Sequence, residues 1–273
     1  MSRTVEWDPA TYERFRAERA QPFHDLVAAI PEIVVRFAVD LGCGSGELTC
    51  TLLERWPGAR ILGIDSSPEM LANRAAAPTG GNPEFAVADL RTFMPRHPCD
   101  LVLSNAALQW VGDHATLMGR MARMLAPGGV LAVQLPNNRF EAAMQITDEL
   151  ADESPWCDLG SGSRAFPRIE SVDFYVERLA AEGLTAEVFE KVYEHRLPNA
   201  AAIVDWLEGT YLRPVLGALG EAEMASFRAL LVARLEAAYP AAADGVVFPF
   251  RRLFFVARRP AANRAKRGTV RRP

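Results

Sequence analysis

The chain has 273 residues, of which 49% are hydrophobic and 23% charged, with a formal net charge of −4. That composition belongs to an ordinary globular protein, and the length suits one large domain carrying an insertion. It excludes a membrane-spanning chain, since no apolar run approaches ~18 residues, and the polar start MSRTVEWDPATYERF lacks the apolar stretch of a secretory signal. A cytoplasmic location is expected. Seven Lys/Arg and no acid stand between Arg258 and Pro273. The body is therefore more acidic than the net value suggests, which argues against a nucleic-acid surface. Residues 261–273 read as a basic, disordered tail.

Residues 1–30 are expected to form an N-terminal helical cap, with Tyr12, Phe15 and Arg19 on one face at i, i+3, i+7 spacing. Short apolar strands follow at 37–41, 60–65, 84–88, 101–104 and 130–135, each suited to burial on both faces. Helical patterns alternate with them at 47–56, 68–77 and 113–125. Pro57-Gly58 and Pro127-Gly128-Gly129 stop the first and last of these. Ser67 before Pro68 is an N-cap followed by proline at the first helical position. The alternation predicts a doubly wound α/β architecture with a mostly parallel sheet. Further on, 136–169 reads as irregular, 172–182 as a helix, 186–197 as a long strand and 253–258 as the last strand. Helical patterns at 199–217 and 221–239 separate two strands that a short turn would join. Residues 199–248 are thus expected to be a helical lid, inserted into a core of 31–198 and 249–260.

Four groups of residues carry chemistry. Asp40-Leu41-Gly42-Cys43-Gly44-Ser45-Gly46 lies between a strand and a helix. Its alternating glycines let the backbone bend and approach a ligand, and the helix N-terminus offers free N–H groups. A dehydrogenase would space its glycines G-x-G-x-x-G; here the third comes one residue early. Cys43 is expected to pack under the loop. With Cys50, Cys99 and Cys157 it shows neither C-x-x-C spacing nor neighbouring histidines, as reduced thiols outside a metal site would. Asp65, followed by Ser66, ends the second strand, where a carboxylate can accept both ribose hydroxyls of an adenosine group and repel a 2′-phosphate. Met70, one turn into the next helix, can pack on an adenine face or in the core. Asp89-Leu90 follows the third strand, where an acid can accept an adenine amino group. Asn105 to Trp110 follow the fourth, where the crevice above a parallel sheet opens.

Taken in order, these residues resemble the cofactor motifs of class I S-adenosylmethionine methyltransferases. More narrowly, the chain resembles the trans-aconitate 2-methyltransferase family over almost its full length. The likeness is carried by Trp7-Asp8-Pro9 with Tyr12, Phe15 and Glu18-Arg19; by 40–46, 63–68, 104–110 with Asp113-His114, and 131–136; and by Asp205-Trp206, Leu212-Arg213-Pro214, Tyr239-Pro240, Asp244-Gly245 and 249–257. It implies S-adenosyl-L-methionine as cofactor, a seven-stranded Rossmann-like sheet with a reversed last strand, and methylation of a small acid to its monomethyl ester. The chain departs from the family at Gln21, usually arginine; at Asn137-Asn138, usually Asp-Asn; at 141–144, usually Glu-Pro-x-His; and at Tyr211, usually glycine. These changes make the pocket less cationic and more aromatic.

Two acceptors stay open. A carboxylate, with a pKa around 4, is already ionised at neutral pH. It needs cations rather than a base, and Arg19 and Arg213 are the candidates. An aromatic acceptor such as an indole or phenol must lose a proton, for which His114, His195 and Tyr211 are candidates. A nicotinamide-dependent oxidoreductase is disfavoured by the glycine spacing. The expected partner is a small-molecule acceptor alone, bound by a monomer without metal.

Overall fold

The computed structural model describes residues 16–72, 82–158, 169–208, 211–212, 215 and 218–262. Seven strands form one sheet: β1 (Phe37–Leu41), β2 (Arg60–Asp65), β3 (Glu84–Val87), β4 (Cys99–Asn105), β5 (Leu125–Pro136), β6 (Thr185–Leu197) and β7 (Val246–Arg258). Their order is β3-β2-β1-β4-β5-β7-β6. Only β7 is reversed, pairing antiparallel with both β5 and β6. The chain order reverses direction across the sheet at β1 and β4, so the crevice for a ligand lies above the carboxyl ends of those strands.

Helices cover both faces. On one, α1 (Arg16–Ala29) and α2 (Glu47–Arg55) bury Phe23, Leu26, Ile30, Leu52 and Trp56 against Leu101, Leu103, Val130, Ala132 and Phe254. Arg55, in the last turn of α2, donates to the carbonyls of Val27 and Ile30. The C-terminal end of α1 therefore lies at the amino edge of the sheet, and its first turn points towards the carboxyl edge. On the other face, α4 (His114–Met124) and α6 (Val172–Ala181) bury Leu117, Met121, Tyr175 and Leu179 against Val102, Leu131, Val133 and Phe255. The short α3 (Pro68–Ala72) opens at Ser67, whose Oγ accepts from Met70 N as an N-cap does.

A third apolar cluster is separate from these two and includes the α1-side residues of β7 beyond Arg252. It joins α5 (Ala142–Ala151), α7 (Ala200–Glu208) and α8 (Glu221–Ala238) around Trp206, Phe227, Leu231 and Phe248. The α5 helix corrects the expectation that 136–169 is irregular. Its buried stripe, Ala143, Met144, Thr147 and Leu150, has helical spacing but is too small and polar to stand out in sequence. β7 corrects a second expectation by beginning seven residues early, at Val246. Pro249 made that stretch look unlike a strand. However, Arg251 N donates to Asn138 Oδ1, so the odd residues of β7 turn their N–H groups away from β6. The ladder with β5 ends at Pro136 opposite Arg252. The missing N–H of Pro249 thus faces no strand. Among the described residues, no helix is long and apolar enough to cross a membrane.

Candidate active site

β1 delivers the glycine loop, which is tied to β2 at three points. Gly42 N and Cys43 N both donate to Ile64 O, at 2.8 and 2.9 Å, and Gly44 N donates to Asp65 Oδ2 at 2.9 Å. The glycines Gly42, Gly44 and Gly46 all adopt left-handed φ, at 76°, 58° and 74°. Space is as restrictive as conformation. A Cβ on Gly42 would lie 2.3 Å from that of Ala107, and one on Gly46 2.3 Å from the Phe85 ring. On Gly44 it would meet only the flexible end of Met70, at 3.3 Å. The middle glycine is thus the open one, and Met70 lies beside it. Cys43 does pack under the loop, its Sγ 3.0 Å from where a Cβ on Gly63 would stand, and burial pushes its thiol pKa up. All four cysteines are free.

Asp65 is the hub of this edge. Its Oδ2 accepts from Gly44 N and its Oδ1 from Ser67 N, each at 2.9 Å. A carboxylate has about four acceptor positions, so two remain for hydroxyl donors. Asp40, at the end of β1, is 3% exposed and accepts from Thr49 Oγ1 at 2.6 Å. Burial raises its pKa to about 7, with the Asp65 charge adding and the Thr49 hydroxyl opposing. Ser66 is exposed and Leu90 half-buried, lying over Gly42. Asp89 is engaged at the surface by Arg91, whose Nε reaches Oδ2 at 2.8 Å. Trp110 is 52% exposed at the end of the 3₁₀ turn Leu108–Trp110.

The loop after β4 holds a feature that the sequence did not signal. Ala106 adopts φ 51°, rare for a residue with a Cβ. Its N–H donates to Gln134 O and its carbonyl accepts from Gln109 Nε2 at 2.6 Å, which holds it there. Beside it, the Oδ1 atom of Asn105 is buried without a hydrogen-bond partner.

The candidate bases are placed less openly. His114 is 2% exposed, and its Nε2 lies 2.9 Å from the carbonyl oxygens of both Leu108 and Val111. Those acceptors require the proton on Nε2, so Nδ1 accepts from the Tyr175 hydroxyl at 2.5 Å. Both ring nitrogens are engaged within the protein. His195, 8% exposed, stacks on Trp206 at 4.6 Å. Burial, aided by the Arg252 charge, lowers its pKa to about 4, so it is neutral at pH 7. The Tyr211 hydroxyl donates to Asp148 Oδ1 at 2.6 Å, tying 211–212 to α5. Tyr12, Arg213 and the side chain of Arg19 lie outside the described residues.

One expected result arises directly. The folded pKa of His195 lies below the unfolded value near 6.5, so the unfolded chain binds more protons between those pH values. The site's stability contribution is intact above pH 6.5 and is lost as pH falls towards 4, by up to about 3 kcal/mol. Urea unfolding of His195→Phe at several pH values is expected to show a shallower acid slope than wild type. Parallel slopes for the two proteins exclude the assignment.

The arrangement fits an adenosyl group bearing a sulfonium methyl: an open glycine against Met70, a carboxylate with two acceptor positions left, and a buried orphaned acceptor in the loop after β4. Comparison with known proteins agrees. Residues 39–133 match a family described as methyltransferase domain. The trans-aconitate 2-methyltransferase of Streptomyces coelicolor is 47% identical over 93% of this chain and 87% of its own length. That of Paracidovorax citrulli is 42% identical over 94% and 99%. Among solved structures, a putative methyltransferase of Bacillus halodurans superposes with a TM-score of 0.55 at 15% identity, covering 90% and 100% of the two chains. The YcgJ protein of Bacillus subtilis gives 0.56 at 11% identity, covering 89% and 99%. These two share the fold. The chain belongs to the trans-aconitate 2-methyltransferase family, and it is an S-adenosylmethionine-dependent methyltransferase.

Proposed function

We propose that the protein transfers a methyl group to a carboxylate oxygen of a small polycarboxylic acid such as trans-aconitate. The observation that carries this reading is the match to relatives of that name across nearly the whole chain. The chemistry of the site supports it. S-adenosylmethionine, when bound, supplies an electrophilic methyl on a sulfonium. The acceptor carboxylate attacks as the anion it already is at neutral pH, so the protein need only position it, an effect worth up to roughly 7–11 kcal/mol. A phenol or indole needs a base as well. His114 has no unengaged nitrogen, and His195, with its pKa near 4, is too weak to take such a proton.

The cofactor is held, in this reading, by the Asp40–Gly46 loop, with Asp65 on the ribose. Ser66, Met70, Asp89, Leu90, Asn105 and Trp110 line its remaining sides. The cluster of α5, α7 and α8 would cover the acceptor, joined by the residues before α1, whose first turn points to the same edge. Tyr12, Arg19, Tyr211 and Arg213 are proposed to contribute from those segments. The test is transfer from methyl-labelled cofactor to a panel of trans-aconitate, indole and phenol. Label is expected on trans-aconitate, in an ester that alkali releases as methanol. Label on indole or phenol, with none on the acid, overturns the reading.

A further inference from the structure

On the α1 face of the sheet, the apolar cluster gives way to polar side chains at the carboxyl edge. Leu103 and Ala132 are the last apolar pair between β4 and β5 on this face. The next pair outward is Asn105 and Gln134. Gln134 stands opposite Phe254 on β7, and Arg252 lies two residues further out on the same face. Gln134 is fully buried, yet neither its Oε1 nor its Nε2 has a hydrogen-bond partner among the described residues. Buried amides are normally satisfied, and one that is not calls for a ligand or another cause. Arg252 is 6% exposed, with its guanidinium carbon 4.4 Å from the centre of the Phe250 ring. Its charge reaches both His195 and Tyr193. A buried cation and an unsatisfied amide thus share one face, one edge and adjacent strands.

Their place across the edge gives them a role. The cofactor residues follow β1, β2, β3 and β4. β5 and β7 come next in the sheet, so Gln134 and Arg252 flank the proposed cofactor row on the side away from β3. We propose that Gln134 and Arg252 form the acceptor's carboxylate-reading pair and set the preference for polyanionic acids. The inference rests on the carboxylate-methylation reading above. Gln134 donates its amide N–H to one carboxylate, and Arg252 pairs with another through its planar fork. The remaining carboxylate is left towards Asn105 and the glycine loop, where the methyl is delivered. An uncharged aromatic acceptor has no carboxylate to pair with either residue.

The decisive variant is Gln134→Met, which keeps the length and most of the bulk and replaces the carboxamide, with its two orphaned atoms, by an apolar thioether. A purely structural glutamine so replaced leaves KM untouched and the melting temperature unchanged or higher. For a reading residue, the melting temperature and the S-adenosylhomocysteine affinity hold, while KM for trans-aconitate rises at least tenfold. Arg252→Gln is expected to raise KM at least a hundredfold, with partial rescue in Arg252→Lys. A second readout needs no turnover: calorimetric titration of tricarballylate into the full chain loaded with S-adenosylhomocysteine. Binding is expected in wild type and should weaken at least tenfold in Gln134→Met. If wild type methylates trans-aconitate and Gln134→Met keeps the wild-type KM, the inference falls and the functional reading stands. If wild type binds tricarballylate through Gln134 but methylates no polycarboxylic acid, the functional reading falls and the pair stands. If wild type binds no tricarboxylate, both fall.

Discussion

Gly42→Ala is expected to lower the melting temperature by about 5–15 °C and to remove measurable cofactor binding. Two separate penalties meet at this position. The left-handed φ of 76° costs a residue with a Cβ about 1–2 kcal/mol. The added carbon would also stand 2.3 Å from the Cβ of Ala107, and relieving such overpacking costs about 1–3 kcal/mol. In a domain of this size each 1 kcal/mol shifts the midpoint by roughly 2–4 °C. The strain falls where the glycine loop meets the loop after β4, so both walls of the crevice must move. Calorimetric melting checks the size, and a double variant checks the cause. Gly42→Ala with Ala107→Gly removes the clash but keeps the φ strain, and should recover about half the loss. Gly44→Ala, which meets only the end of Met70 but keeps the left-handed φ strain, should lose about 2–8 °C. Equal losses at Gly42 and Gly44 would falsify the packing account.

Asp65→Ala is expected to weaken S-adenosylhomocysteine binding by about 3–6 kcal/mol, roughly 10²- to 10⁴-fold. The figure counts two hydrogen bonds from ribose hydroxyls to a charged acceptor, at about 1.5–3 kcal/mol each. The same carboxylate accepts from Gly44 N and Ser67 N, so its loss also unties the loop from α3. A drop in melting temperature should therefore accompany the affinity change, although the residue stands at a strand end and the fold should persist. An unchanged dissociation constant by calorimetry would place the ribose elsewhere.

The sequence was most legible where chemistry and backbone demand the same residues. The loop from Asp40 to Gly46 announces itself because three left-handed positions need three glycines. β1 and β2 were readable to the residue, as short, mainly apolar strands with clear stops. Legibility failed where burial relies on modest side chains. The stripe of α5 is built on Ala143 and Thr147, and no scan for large apolar residues finds it. The early start of β7 was hidden by Pro249, which is tolerable only because β5 has ended. Asp65, proposed here for the ribose, drew attention by its place at a strand end. The proposed pair, Gln134 and Arg252, gave no such signal, because each sits in a mostly apolar strand and gains its meaning only beside its neighbours across the sheet. His114 misled for the opposite reason. It follows a functional loop in sequence, but its bonds are spent holding that loop to Tyr175.

The overhang of β6 and β7 also has a mechanical consequence. Beyond Arg252 these strands pair with one another alone, and the Trp206 cluster rests on the projecting end. A two-stranded ribbon clamped at one side behaves as a cantilever: it bends along its length and does not swing about a single joint. The ribbon's free end moves furthest and its root, at Arg252, least. Any flexing would therefore displace the Trp206 cluster while leaving Gln134 and Arg252 nearly still. Such a molecule can let its outlying helical cluster move without disturbing the side chains at the root of the ribbon.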